Sequence, residues 1–469
     1  ERISSRMPEE LPQTGHRGIT LRNVADREAS MEDFIAQFTD DDLSAIVRGE
    51  GMSSPKVTPG TASAFGGVTD SLISLGVPVA CAADGPSGIR MEGGYSATQM
   101  PIGTLLASTW NPELTEELYT LEGKEMYANQ VDTLLGPGMN IHRHPLNGRN
   151  FEYFSEDPYL TGCFAAAAVR GIRAGKGVGT IKHFATNNQE TARSEENNVV
   201  SERALREIYL KGFEIAVKEG NAQSIMTSYN GINGHWAASN YDLNTTILRG
   251  EWGYTGVVMT DWWATMNHPV LGGPCSRQRA SYMVRAQNDL YMVVPNHGAG
   301  DNAHGDDLSE ALEKGELTRG ELQRCAANIC RFLMSVPCMD RDPREQERVE
   351  LQKAGAQAPE GFAENIPVLR DSEAYTMDFE HPLVLRAEEP GMYFMEAGLS
   401  SASPEMSQVF MEFLLNGSPL LQVQMGGTRG KVTVRKLAKV RMEAGYYLLE
   451  AKLQKPDISI AWVRFRKLA

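Results

Sequence analysis

VVMTDWWAT, residues 257–265, sets a carboxylate and two indoles directly after an apolar run. Val257, Val258 and Met259 are bulky and uncharged, the composition of a strand buried on both faces. Asp261 follows at the strand's carboxyl end, walled by Trp262 and Trp263. The same unit recurs along the chain. Short apolar runs lie at 77–83 (VPVACAA), 103–108 (GTLLAS), 132–137 (DTLLGP), 177–184 (GVGTIKHF), 222–229 (AQSIMTSY), 256–261 (GVVMTD) and 289–294 (DLYMVV). Helical stretches separate them. NPELTEELYTLEGKEMYAN opens on a capping Asn111 with Pro112 at the first helical position. SERALREIYLKGFEIAVKEG is bounded by Ser201 and Gly220, with Leu205, Ile208, Phe213 and Ile215 near one face. Strand and helix alternating at this spacing predict a parallel sheet. Seven strands are visible, and an eighth is expected near the N-terminus or after residue 294, giving an α/β fold with a (β/α)8 TIM-like barrel over residues 30–335. An open doubly wound sheet competes, but no GxGxxG turn follows the first strand.

The flanks differ in character. Residues 1–29 are polar and read as a leader or linker. Residues 336–364 are charged, with Gly and Pro towards their end, and read as a second linker. Residues 365–469 hold short, often alternating segments such as GMYFMEAGL (391–399) and GYYLLEAKL (445–453), separated by Gly, Pro and Asn. They predict a C-terminal antiparallel β-sandwich or jelly roll.

With 469 residues and 41% hydrophobic side chains the chain can fill more than one core. A net charge of −15 argues against a nucleic-acid groove or an anionic membrane surface as partner. No apolar run is long enough to span a bilayer. Six cysteines without metal spacing read as reduced thiols in a reducing compartment, hence a cytoplasmic location. The chain opens on Glu1, so upstream residues are expected to be missing.

In a parallel barrel the chemistry gathers at the carboxyl ends of the strands. Five strands deliver Asp84, the loop carrying Arg149, the pair Lys182 and His183, Tyr229, and Asp261 with Trp262 to one rim. Such groups suit a neutral polyol. Charged side chains bond adjacent hydroxyls, an indole covers the C–H face of a sugar ring, and a central carboxylate can attack an anomeric carbon. Nearby cations would keep that carboxylate ionised. Plainer readings stand beside this one. Asp261 could cap a following helix. His142 and His144 could join His183 around a metal, but no further ligand spacing accompanies them, and no metal or other cofactor is expected. Glu152, Glu156 and Asp157 are expected to fix the loop that carries Arg149. Trp263 is expected in the core, because neighbours along a strand alternate.

DGPSGIR (84–90), GRNFEYFSEDPYLTG (148–162), KHFATNNQE (182–190), MTSYNGINGHW (226–236) and GYTGVVMTDWWA (253–264) resemble the signature segments of family 3 glycoside hydrolases, the β-glucosidase branch above all. The likeness covers roughly residues 35–335, in the family's order. It implies a retaining, exo-acting enzyme that releases terminal β-D-glucosyl residues through a covalent ester. Asp261 would be the nucleophile and Trp262 would line the sugar site. Asp84, Arg90, Arg149, Lys182 and His183 would bind glycone hydroxyls, with Met226 and Tyr229 bordering the nucleophile. β-Glucosides or cello-oligosaccharides are the implied substrates, and an oligomeric assembly is left open. A β-xylosidase or phosphorylase activity on the same scaffold, or a non-catalytic carbohydrate-binding protein with a degenerate barrel, are the alternatives.

Two departures from the family pattern matter. KHFATNNQETARSE lacks the second histidine of the N-acetylglucosaminidase branch. The α/β sandwich domain that supplies the acid/base glutamate in the glucosidase branch is not found here. That residue is therefore expected from a domain upstream of Glu1 or from a separate polypeptide.

Overall fold

Eight strands close into a barrel in the computed structural model, which describes all residues except 53, 92–95, 295–296, 342–348, 363–365, 406, 455–456 and 469. They are β1 (Arg48–Glu50), β2 (Ser63–Gly66), β3 (Val79–Asp84), β4 (Thr133–Leu135), β5 (Val178–Phe184), β6 (Ser224–Thr227), β7 (Val257–Thr260) and β8 (Tyr291–Val294). The hydrogen-bonded order runs β7-β6-β5-β4-β3-β2-β1-β8. The ends meet through a parallel bridge from Met259 to Leu290, where the Thr260 N–H donates to the Leu290 carbonyl at 2.9 Å. The further strand expected near the N-terminus or after residue 294 lies near the N-terminus, and there are two there, β1 and β2; they bring six of the seven expected strands to eight. Two expectations fail. GTLLAS is not a strand but the helix Gly103–Ser108, in which Leu106 and Ala107 are buried and Leu105 is 56% exposed. A short apolar run carries no period that separates the two forms. The sheet is also not wholly parallel: β2 runs antiparallel to both β1 and β3. Among the described residues no helix separates β1 from β2, and the chain turns back instead of crossing over.

Strands buried on both faces must satisfy polar side chains internally. Inside the barrel Thr133, Thr180 and Ser224 form a hydroxyl chain with steps of 2.9 and 2.8 Å. The two longest outer helices, Pro112–Ala128 and Pro158–Ala174, start on the side chains of Asn111 and Asp157 with proline next in line. They lie close enough that a Cβ on Gly171 would meet the Glu116 carbonyl at 2.4 Å. The predicted helix from Ser201 is broken by a wide turn over Leu205–Tyr209 before Lys211–Lys218. That extra residue shifts the helical phase, and Ile208 points outward at 40% exposure.

At the barrel's bottom, opposite the strand ends that carry the chemistry, Asp132 is wholly buried. It accepts the Cys81 N–H at 2.8 Å and the Cys338 N–H at 2.9 Å, and pairs with Arg341. It thus ties β3 to the segment after the last barrel helix. Asp132→Ala should cost about 3–5 kcal/mol, because two N–H groups and a guanidinium lose their acceptor. Urea unfolding measures this. A loss below about 1 kcal/mol, the worth of one ordinary hydrogen bond, would mean the clamp contributes little.

After the barrel, two sheets share one core. The first joins β9 (Val349–Gln352), β10 (Ala374–Tyr375), β12 (Gly391–Ser400), β15 (Thr433–Met442) and β17 (Ser459–Lys467) in the order β9-β15-β12-β17-β10. The second joins β11 (Leu383–Ala387), β13 (Gln408–Leu415), β14 (Ser418–Gly426) and β16 (Gly445–Leu453) in the order β11-β16-β13-β14. Met395, Phe413, Val440 and Phe465 are among the side chains filling the space between them. β9 lies inside the stretch read as a linker and pairs parallel with β15; part of that stretch, 342–348, is outside the described residues. Residues read as a leader also pack down, with Leu21 fully buried. The module abuts the barrel through Arg277–Glu405 at 2.5 Å, Lys436–Asp301 at 3.1 Å and Arg90–Gln408 at 2.7 Å. Among the described residues no helix is long and apolar enough to cross a membrane.

Candidate active site

The carboxyl ends of β3, β5, β6 and β7, with the loop after β4, surround a cavity of about 250 Å³. All nine side chains singled out in the sequence line it: Asp84, Arg90, Arg149, Lys182, His183, Met226, Tyr229, Asp261 and Trp262. β3 ends at Asp84, β5 carries Lys182 and His183, and Met226 lies on β6. Asp261 follows β7 directly, in a turn and not at a helix start, so it caps no helix.

The charges are arranged in pairs. Lys182 Nζ donates to Asp84 at 2.7 Å, with Lys182 nearly sealed and Asp84 partly open to the cavity. Burial alone would push the Asp84 carboxyl up, but Lys182, Arg149 and Arg90 outweigh it and hold the group below its usual range. Arg149 is gripped by both oxygens of Glu152, at 3.1 and 2.8 Å. This is the loop-fixing role expected of Glu152. His183 is set by Asn140, which accepts its N–H at 2.8 Å and donates back to its carbonyl at 2.9 Å. Its Nδ1 lies 3.2 Å from the Tyr153 hydroxyl. Burial, with Arg149, Lys182 and Arg193 nearby, holds the imidazole well below its usual pKa, so it is neutral at pH 7. Its Nε2 stands 3.7 Å from Asp261, and that approach is therefore no ion pair.

Asp261 sits at the centre of this array. Its carboxylate accepts the Trp262 N–H at 2.8 Å. Burial raises its pKa above the usual value, while Lys182, Arg149, Arg193 and that N–H pull it partway back. Burial and the Asp261 carboxylate together push the Tyr229 phenol well above its ordinary range. A buried carboxylate with three cations around it and polar groups on every side can attack an electrophilic carbon of a polyhydroxylated ligand.

The sequence reading missed several lining residues. Trp263, expected in the core, is partly buried against the barrel core and also lines the cavity. The chain turns at Asp261, and Trp263 adopts φ 56°, so strand alternation no longer applies there. Arg193 lines the cavity too, held by Glu190 at 2.9 Å and lying over the Tyr229 ring at 4.8 Å. It comes from the loop after β5, and extending the strand-end argument along that loop would have reached it. Gln408 and Gln424 reach in from the C-terminal module, a long-range contact with no local signal. Among the described residues no cluster of His, Cys, Asp and Glu could hold a metal ion.

The profile of the Glycosyl hydrolase family 3 N terminal domain matches residues 30–332. A β-glucosidase of Ruminococcus albus is 45% identical over 470 aligned positions, covering 98% of this chain and 49% of that protein. A crystal structure of a β-glucosidase from Paenibacillus barengoltzii superposes with a TM-score of 0.77 at 58% identity, over 99% of this chain and 50% of the other. β-Glucosidase 3B of Thermotoga neapolitana, solved with α-D-glucose, matches 67% of this chain and 44% of its own at 37% identity and a TM-score of 0.59. The chain thus spans about half the length of the relatives it matches.

Proposed function

Because this chain belongs to glycosyl hydrolase family 3, we propose that it is the sugar-binding and nucleophile-bearing part of a retaining, exo-acting β-glucosidase. The observation that carries this reading is the convergence of nine side chains, from four strand ends and the loop after β4, on one cavity that Asp261 lines. The ionised Asp261 oxygen forms a bond to the anomeric carbon as the glycosidic C–O bond breaks. The leaving oxygen takes a proton from a carboxylic acid. Water then attacks the same carbon, gives its proton back to that group, and Asp261 departs. Asp84, Arg90, Arg149, Lys182 and His183 bind glycone hydroxyls, Trp262 covers the ring's apolar face, and Met226 and Tyr229 border the nucleophile. The low pKa of Asp84 keeps it an acceptor, and the neutral His183 offers a hydrogen bond without repelling the cations.

The acid is the part we place outside these residues. Of the described residues lining the cavity, only Asp84 and Asp261 carry carboxylates. An α/β sandwich domain, on a separate polypeptide or on adjoining sequence, would supply it. Leu146 and Phe151, exposed at 84% and 53% on the loop that carries Arg149, suit the seat of such a domain. The C-terminal module then serves as a β-sandwich that completes the cavity rim with Gln408 and Gln424. A cytoplasmic location belongs to the same proposal, supported by six free thiols of which Cys275 is exposed.

A fluorosugar inhibitor with an activated leaving group tests the reading, because it needs a nucleophile and no acid. Digestion and mass spectrometry should find one fluoroglucosyl adduct, on Asp261. The lack of any adduct would leave a carbohydrate-binding barrel without catalysis. The same reagent tests electrostatics. Arg193 helps pull the Asp261 pKa down, so Arg193→Gln should raise it further. The acid limb of the labelling rate then moves to higher pH, since only the ionised form attacks. An unmoved limb would remove Arg193 from the set of groups that tune the nucleophile.

A further inference from the structure

A second cavity, of about 230 Å³, lies between the barrel and the C-terminal module. It shares Met52, Trp263 and Gln424 with the first cavity, so Trp263 forms a common wall. That indole reaches the module closely: a Cβ on Gly426 would meet it at 3.4 Å. The charges of this second cavity do not balance. Arg277 is neutralised by Glu405 at 2.5 Å. His304, bonded to the Arg277 carbonyl at 2.9 Å, is kept below its ordinary pKa by burial and is neutral at pH 7. Arg435 of β15 is left. Among the described residues no acidic side chain pairs with it, and its Nε is buried without a hydrogen-bond partner. Arg435 lines the cavity, and burial in the surrounding protein pushes its pKa down to about 10. The group is still a cation at neutral pH. A desolvated cation without a counter-charge is costly, and a ligand anion would relieve it.

The position fits the other half of a glucoside. With the anomeric carbon at Asp261, displacement drives the leaving group away from that carboxylate, and the second cavity adjoins the first through the shared Met52, Trp263 and Gln424. We propose that the second cavity receives the aglycone, and that Arg435 with the Trp263 indole selects an aromatic aglycone bearing a carboxylate. Trp263 offers a face for the ring, and the guanidinium fork matches a carboxylate with two parallel hydrogen bonds. The inference rests on the glucosidase reading and adds the chemical class of the leaving group to it.

Sulfur-linked glucosides resist hydrolysis, so binding can be measured whether or not an acid is present. The probes are phenyl, carboxyphenyl and carbamoylphenyl thioglucosides, titrated calorimetrically into the full chain. The last two match in shape and differ in charge. In the wild type the carboxyphenyl compound should bind at least about tenfold tighter than the carbamoyl one, the effect of a charge-assisted bond. That ratio should fall to near one in Arg435→Gln and stay partly in Arg435→Lys, which keeps the charge without the fork. Both variants should unfold no earlier than the wild type, since they relieve or retain an unpaired cation. Equal binding of the two probes to the wild type overturns the proposal, as does a ratio that survives in Arg435→Gln. Such results with the phenyl compound still bound would leave the glucosidase reading standing. If wild-type chain binds none of the three, both readings fall together.

Discussion

Asp261→Asn should lower turnover by several orders of magnitude and leave the fold unharmed. The asparagine amide cannot form the ester, so the intermediate is lost outright and not merely weakened. The fold should tolerate the change for a reason visible in the site. The carboxylate accepts one backbone N–H and faces a neutral imidazole, so no ion pair of the fold depends on it. Its pKa is raised by burial. A carboxyl raised on folding favours the folded state while protonated. That advantage is lost as pH climbs from the unfolded pKa through the higher folded one. The asparagine variant does not incur it, so at pH 7 its unfolding free energy should equal or exceed that of the wild type. Replacing Asp261 by glycine opens a further test with azide and an activated glucoside. The small anion attacks from the vacated side and yields a glycosyl azide of inverted configuration. A variant that keeps more than about a tenth of the wild-type rate, a barrier change of only about 1.4 kcal/mol, would show that Asp261 is not the nucleophile.

Legibility in this sequence followed the range of the interaction. Residues 256–261 and 177–184 could be read because a strand buried on both faces is written in consecutive residues, and its final polar residue marks the rim. GTLLAS could not be assigned, since six apolar or small residues fit a strand or a buried helix equally well, and a helix formed. The antiparallel β2 was missed for a similar reason. SAFG is short and weakly patterned, and its direction is fixed by β1 and β3 and not by its own residues. Within the site, Asp84, Lys182, His183 and Asp261 announced themselves as polar residues ending apolar runs. Trp263 packs on the core as alternation suggests, but its second role at the cavity is set by the turn past the strand's end, where alternation no longer applies. Gln408, Gln424 and Arg435 belong to another module, and their approach to the barrel follows from how the two bodies pack, which no local pattern encodes.

The proton for the leaving group leads to the most demanding expectation. A retaining glycosidase sets a second carboxyl group about 5–5.5 Å from the nucleophile to protonate the departing oxygen. Asp84 cannot serve, because Lys182 sits 2.7 Å away and the group stays ionised below the usual range. His183 cannot serve either, since its pKa is depressed and it has no proton to give as an imidazolium at pH 7. The 469-residue chain by itself should therefore cleave cellobiose or an alkyl glucoside very slowly. A dinitrophenyl glucoside, whose leaving group needs little protonation, should react far better. Adding the α/β sandwich domain should raise cellobiose hydrolysis by about 10²–10⁴-fold, the usual worth of general acid catalysis, and the activated substrate by much less. If that domain seats on Leu146 and Phe151, changing both to aspartate should abolish the gain on cellobiose. Labelling of Asp261 by the fluorosugar should meanwhile persist, because neither residue lines the cavity. Hydrolysis of cellobiose by the isolated chain at an ordinary enzymatic rate, on the order of 1–10³ s⁻¹, would place the acid within these residues and end the case for a second supplier.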